Sequence, residues 1–183
     1  PNLGVITNIS YAHIKNFKSL TEIAKAKSEI INNIIKGGKI ILNHDDDYFN
    51  FLKKIALKKN IHVISFSKKN YFSDVYIKKI ISNKLNSKIF INIKNLTKSF
   101  LIRKNLCPYL HNILASLAII SEFYDLKNID EKLFYNFKLP FSRGDLTKVR
   151  LKNKIIYLTD ESYNSNPLSL KFAIDNFNKQ NQN

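Results

Sequence analysis

The order of the apolar runs constrains this chain more than any other feature. Leu3 to Ile9, Lys39 to Leu42 and Ile61 to Phe66 each read as a short buried strand. Helical patterns separate them. Ser19-Leu-Thr-Glu22 has the spacing of a capping box, so a helix is expected from Leu20 to about Lys36, ended by Gly37-Gly38. A second helix is expected over roughly Tyr48 to Lys59. Strand–helix–strand–helix–strand order argues for an α/β fold: a parallel sheet with crossover helices.

The texture changes after Phe66. Asp74 to Ser82, Ser87 to Ile93 and Lys98 to Arg103 are strand-like runs joined by short polar turns, the pattern of an antiparallel meander. A helix is expected from about Pro108 to Tyr124, with proline near its first turn, and a short one from Asp130 to Asn136. Leu139 to Asp145 reads as a linker, with a domain boundary near Pro140. A hairpin follows (Val149 to Leu151, Ile155 to Leu158), then a loop from Thr159 and a helix opened by Asn166-Pro167.

Composition narrows the class. With 183 residues and 44% apolar content the chain can bury a sizeable core, so disorder is excluded as its main state. No apolar run approaches the ~20 residues of a membrane helix, and no secretory signal opens the chain. One cysteine, Cys107, excludes a disulfide framework and a Cys-rich metal site, and points to a reducing, cytoplasmic setting. Methionine is absent and Pro1 leads at once into a strand, so the chain reads as an interior fragment of a longer protein. The net charge of +16 suggests nucleic acid or an anionic membrane. Only three of the 30 basic residues are arginine, however, and the lysines are spread along the whole chain. Abundant Lys, Ile and Asn suit an AT-rich genome better than a selected binding face. A basic, non-enzymatic nucleic-acid-binding module stays open as a rival reading.

Several residues could carry chemistry. Lys27 lies four residues after Ile23 and three before Ile30, on an apolar stripe Ile23–Ile30–Ile34 of the first helix. A lysine held out of water loses its proton more readily, and a free amine can react with carbon dioxide to form a carbamate, an anionic oxygen ligand for Mg²⁺. The plainer reading is a lysine snorkelling from the edge of the stripe. His13 follows the first strand in a loop with Asn8 and Ser10, where α/β folds build ligand sites. It could bind metal or move a proton, or be structural. Asn43-His-Asp-Asp-Asp47 follows the second strand. Its carboxylates could hold Mg²⁺ or water, while Asp46 or Asp47 could cap the next helix. His111-Asn112 stands at a helix start, a place suited to a nucleotide. Arg143 in the linker could clamp a phosphate or be a solvated turn residue. Asp160-Glu-Ser-Tyr-Asn-Ser-Asn-Pro167 is the densest polar cluster. Capping explains Asn166-Pro167 but not Asp160, Glu161, Tyr163 and Asn164 together.

Taken in order, four segments resemble the Mur ligase family. VITNISYAHIKNF (5–17) with SLTEIAKAKSEI (19–30) is similar to its His loop and Lys helix, and IILNHDD (40–46) to its Asn-x-Asp-Asp turn. LHNILASLAII (110–120) is similar to its His-Asn helix. SRG (142–144) with DESYNSNPLSLKFAI (160–174) is similar to its linker arginine and Tyr-Asn-x-Asn-Pro signature. That last segment resembles the member adding D-alanyl-D-alanine, rather than a sibling adding another amino acid. Two positions depart from the pattern: Ala115 replaces the second Asn of the His-Asn helix, and Ser142 replaces the Gly before the arginine.

The resemblance implies that residues 1–139 are the latter part of a central ATPase domain and 140–183 the start of a Rossmann-like C-terminal domain. The phosphate-binding loop and a Mg²⁺-binding glutamate would lie upstream. It implies ATP-dependent amide formation. ATP phosphorylates the terminal carboxylate of a UDP-N-acetylmuramoyl-tripeptide, and D-alanyl-D-alanine attacks the acyl phosphate. By the same resemblance, carbamylated Lys27 and His13 would hold Mg²⁺. Asn112 and His111 would contact the nucleotide, with Arg143, Asp160 and Glu161 binding ATP from the other domain. Asn8, Tyr163, Asn164 and Asn166 would shape the substrate site. The intact enzyme would be a cytoplasmic monomer that binds no nucleic acid.

Overall fold

The computed structural model describes residues 1–11, 17–140, 142, 145–152, 154–164 and 167–181. They fall into two compact units, Pro1–Tyr135 and Asn136–Asn183.

In the first unit, β1 (Leu3–Ile6), β2 (Lys39–Asn43) and β3 (His62–Ser67) run parallel, with α1 (Leu20–Asn32) and α2 (Phe49–Lys58) as crossovers. Gly4 faces Ile40, and Ile40 faces Val63. The meander does not form a separate sheet. β4 (Val75–Ser82) pairs parallel to β3 through Phe66–Val75, and β5 (Asn86–Ile93) and β6 (Leu96–Arg103) continue antiparallel. One six-stranded sheet results, its strands in chain order.

Helix α1 starts as its sequence dictates: Ser19 caps it by accepting from the Glu22 amide at 3.2 Å. It stops earlier than its apolar pattern suggests. The Ile35 amide donates to the Pro1 carbonyl at 3.2 Å, drawing the chain back beside the start of β1, and Gly37 takes φ +77°, which only glycine adopts cheaply. The close approach is visible at Gly4, where an added Cβ would meet Ile34 Cδ1 at 2.8 Å.

Ile40 to Asn43 are all buried, so both faces of β2 are covered. Ile40 and Leu42 pack with Ile31 of α1 and Leu52 and Ala56 of α2. Alternation turns Ile41 the other way. The helix α3 (Leu110–Ile120), reached through a 3₁₀ turn at Lys104–Tyr109, lies against β2, β3 and β4 and buries Leu114, Leu117 and Ala118.

The short helix expected at Asp130–Asn136 does not form; these residues make turns. The segment instead serves the edge of the sheet. The Leu101 amide of β6 donates to the Glu131 carbonyl at 2.9 Å, and Lys98 Nζ donates to the carbonyls of Lys127 and Ile129. Covering an edge strand satisfies groups that a free edge leaves open.

The second unit begins with the hairpin β7 (Asp145–Leu151) and β8 (Lys154–Asp160), followed by a 3₁₀ turn at Ser162–Asn164 and α4 (Pro167–Asn181). No helix among the described residues is long and apolar enough to cross a membrane.

Candidate functional site

Parallel pairing brings the carboxyl ends of β1, β2 and β3 to one edge, where open α/β sheets bind ligands. Side chains of the Asn43–Asp47 turn join the loops there. Asn43 Nδ2 donates to the Thr7 carbonyl at 3.0 Å, and Asp46 Oδ2 accepts from the Ile9 amide at 2.6 Å. Asp46 Oδ1 accepts from the Tyr48 amide at 2.9 Å, so this carboxylate fixes both the turn before α2 and the loop after β1. The cap expected from Asp46 or Asp47 does not form, because Tyr48 is the N-cap and no side chain caps the helix.

Asp45 reaches the loop after β3 and the start of α3. Its Oδ1 accepts from Ser67 Oγ, and its Oδ2 accepts from the Lys68 amide at 2.7 Å and lies 3.0 Å from His111 Nε2. Burial is the largest single influence on Asp45 and pushes its pKa up. The bonds from Ser67, Lys68 and His111 together outweigh it, holding the carboxyl below its ordinary range. Burial, chiefly, pushes His111 down, helped by Lys68 and Lys69 and opposed by Asp45. At neutral pH the contact is therefore a neutral imidazole donating to a carboxylate, not an ion pair.

His44 lies on the α2 side of the same turn. Its ring stacks on Phe49 at 4.0 Å between centroids, Nδ1 contacts Ser73 Oγ at 2.8 Å, and Asn70 Nδ2 donates to Nε2 at 3.2 Å. An amide can only donate there, so the proton is on Nδ1.

Lys27 is half-buried and points to this edge: Nζ donates to the Asn8 carbonyl at 2.8 Å. Its inward face differs from the expected stripe. Ile23, Ala24 and Ile31 are buried, while Ile30 is 38% exposed. Asn8 itself is exposed, its Nδ2 at 3.5 Å from Ser10 Oγ. His13 lies outside the described residues. Among the described residues no three His, Cys, Asp or Glu side chains are grouped to hold a metal.

His111 and Asn112 occupy the first turn of α3, half-buried and exposed respectively, while Ala115 is packed in the core. In the second unit, Ser142 has φ +62°, the region that favours the glycine it replaces. Its Oγ donates to Asp160 Oδ2 at 2.9 Å, and its carbonyl accepts from the Tyr163 amide at 3.1 Å. Asp160 Oδ1 accepts from the Ser162 amide at 3.0 Å. Bonds from Ser162, then Ser142, hold the Asp160 carboxyl below its usual range. Glu161 is half-buried beside it and Tyr163 is exposed. Arg143 and Asn166 lie outside the described residues, as does the Asn164 side chain.

Sequence reading did not foresee the Asp45–His111 pair. The one available signal was Ser65-x-Ser67 at a strand end: buried hydroxyls there need partners. Ser67 finds Asp45, and Ser65 finds Asp74 at 2.7 Å.

Residues 1–120 match the Mur ligase middle domain. A UDP-N-acetylmuramoyl-tripeptide–D-alanyl-D-alanine ligase of Buchnera aphidicola is 33% identical over 176 residues, which are 95% of this chain and 36% of that protein. Among solved structures, MurF from Acinetobacter baumannii superposes with a TM-score of 0.76 at 21% identity, over 96% of this chain and 37% of that one. MurF ligase from Thermotoga maritima, in complex with ADP, superposes with a TM-score of 0.71 at 20% identity, over 96% and 38%. These structural likenesses establish the mixed α/β fold. The domain match and the sequence identity go further: the chain belongs to the Mur ligase family. It spans just over a third of the length of the relatives it matches.

Proposed function

We propose that this chain is part of an ATP-dependent carboxylate–amine ligase of peptidoglycan precursor synthesis. Residues 1–139 would be the latter part of its central ATPase domain and 140–183 the start of its C-terminal domain. The substrates are ATP, a UDP-N-acetylmuramoyl-tripeptide and D-alanyl-D-alanine, and the compartment is the cytoplasm. One observation carries the reading. Lys27 and the His111–Asn112 turn, far apart in sequence, reach the same carboxyl edge of the parallel strands, linked there by Asn43, Asp45 and Asp46.

In this reading a terminal carboxylate oxygen of the tripeptide attacks the γ-phosphorus of ATP, and ADP leaves. The dipeptide amine then attacks the acyl carbon, phosphate leaves with that oxygen, and the amine loses a proton. Positioning is the chain's main contribution. Asn112 and His111 hold the nucleotide at the start of α3, while Arg143 and Glu161 reach it when the domains close. The bonds from Ser142 and Ser162 make Asp160 the organiser of its loop, and the Tyr163 amide ties the same loop to the Ser142 carbonyl. Tyr163, Asn164 and Asn166 shape the site near the incoming dipeptide, and Asn8 is a further substrate residue.

Mg²⁺, when bound, neutralises charge on the transferring phosphoryl group. Lys27 as a carbamate and His13 would hold it. The chemistry of the donors fits in part: Lys27 Nζ already meets a carbonyl oxygen at this edge, and carbon dioxide would convert it to an oxygen donor. The test is phosphate release by the full-length protein. It should require both the tripeptide and D-alanyl-D-alanine. A requirement for a single amino acid instead would assign the chain to a sibling ligase.

A further inference from the structure

We propose that Asp45 is a positioning residue for the nucleotide. It fixes the His111 ring with the proton on Nε2, so that Nδ1 serves as the acceptor for a hydroxyl or amino group of the bound nucleotide. The inference rests on the nucleotide role of His111 proposed above.

The geometry is the basis. Asp45 Oδ2 lies 3.0 Å from His111 Nε2 across 66 residues of sequence. An ionised carboxylate can only accept, so Nε2 must donate, and a neutral imidazole then carries a bare Nδ1. The Asp45 charge by itself favours a second proton on the ring, and two other features oppose it. The ring is partly withdrawn from water, with 32% of its side chain exposed, and Lys68 and Lys69 set positive charge near it. Both disfavour a second proton. The ring is thus held as an acceptor, and the two lysines give an anionic ligand a favourable approach.

Stapling loops does not account for the third bond. The Ser67 hydroxyl and the Lys68 amide already anchor Asp45 to the loop after β3. The bond to His111 adds a fixed orientation to a side chain that remains open to solvent at the start of α3. This is the arrangement in which a carboxylate sets the tautomer of a functional histidine.

The test is nitrogen NMR of the full-length protein labelled at histidine ring nitrogens, with ADP as the probe. In the wild type His111 should show Nε2 protonated and Nδ1 unprotonated at neutral pH. ADP should move the Nδ1 signal. Asp45→Asn should weaken ADP binding about tenfold and shrink that movement. Ser67→Ala removes a different partner of the same carboxylate. It should lower thermal stability while leaving ADP affinity within about twofold. A proton on Nδ1 in the wild type would overturn the proposal without any variant. So would ADP binding with an unmoved Nδ1 signal, or equal losses of affinity in the two variants. No ADP binding at all by the wild type would overturn the ligase reading first, and this one with it.

Discussion

Lys27 Nζ lies 2.8 Å from the carbonyl oxygen of Asn8, so a lysine in mid-helix reaches back to the loop that follows the first strand. The contact spans 19 residues and is set by the face α1 buries. Ile23, Ala24 and Ile31 turn inward, and Lys27 stands four residues from both Ile23 and Ile31. Lys25, on the other face of the helix, is exposed.

If the carbamate is the working form, Lys27→Ala should cost about a hundredfold or more in ligation and little stability, about 1 kcal/mol or less. Lys27→Arg keeps the charge but cannot form a carbamate, so it should be equally inactive. Bicarbonate with a short carboxylic acid should partly restore Lys27→Ala by supplying the missing oxygen. Phosphate release and thermal unfolding read these effects. An active Lys27→Arg enzyme would remove the carbamate.

Glu122 makes a pH-dependent contribution to the fold. Its side chain is 4% exposed and held by Lys39 and Lys94. Burial pushes its pKa up, but the two lysine bonds outweigh that and leave it below the ordinary glutamate range. A pKa depressed by folding stabilises the fold above the unfolded value of about 4.3, and the gain fades as pH falls through the lower folded value. Both lysines are 40–46% exposed, so solvent limits the gain to about 1 kcal/mol. Urea unfolding should show Glu122→Gln less stable than wild type above pH ~5, with the gap closing below pH ~4. A gap independent of pH would contradict the assignment.

Much of the fold can be read from the chain. The parallel order follows from three short runs separated by helical patterns, and β1 does pair with β2. What sequence could not supply is set by partners distant along the chain. Ile30 looked like a core residue, yet it is exposed while the small Ala24 is buried, because the approach of α2 and β1 decides the face. Asp130–Asn136 has helical composition, but Glu131 is held by Leu101 through its carbonyl and by Lys88 and Ser99 through its carboxylate, which leaves no helix. The inward direction of Lys27 was legible from helical spacing, although its buried neighbour is Ile31 and not Ile30. Asp45 was not, because its partners Ser67 and His111 lie 22 and 66 residues away.

Ser142 offers a backbone test. At φ +62° an alanine bears the strain of the left-handed region and loses the bond to Asp160, whereas a glycine loses only the bond. Ser142→Ala should therefore be less stable than Ser142→Gly by about 1 kcal/mol. Thermal unfolding of the two variants decides it. Equal stability would mean that residue 142 leaves this conformation freely.

The central claim is that the chain belongs to a ligase working through an acyl phosphate. Oxygen-18 placed in the terminal carboxylate of the UDP-N-acetylmuramoyl-tripeptide tests it most directly. With ATP and D-alanyl-D-alanine present, the full-length protein should transfer one labelled oxygen to each phosphate released, because the attacking carboxylate oxygen leaves with phosphorus. Phosphate carrying no label, alongside amide product, would contradict the account.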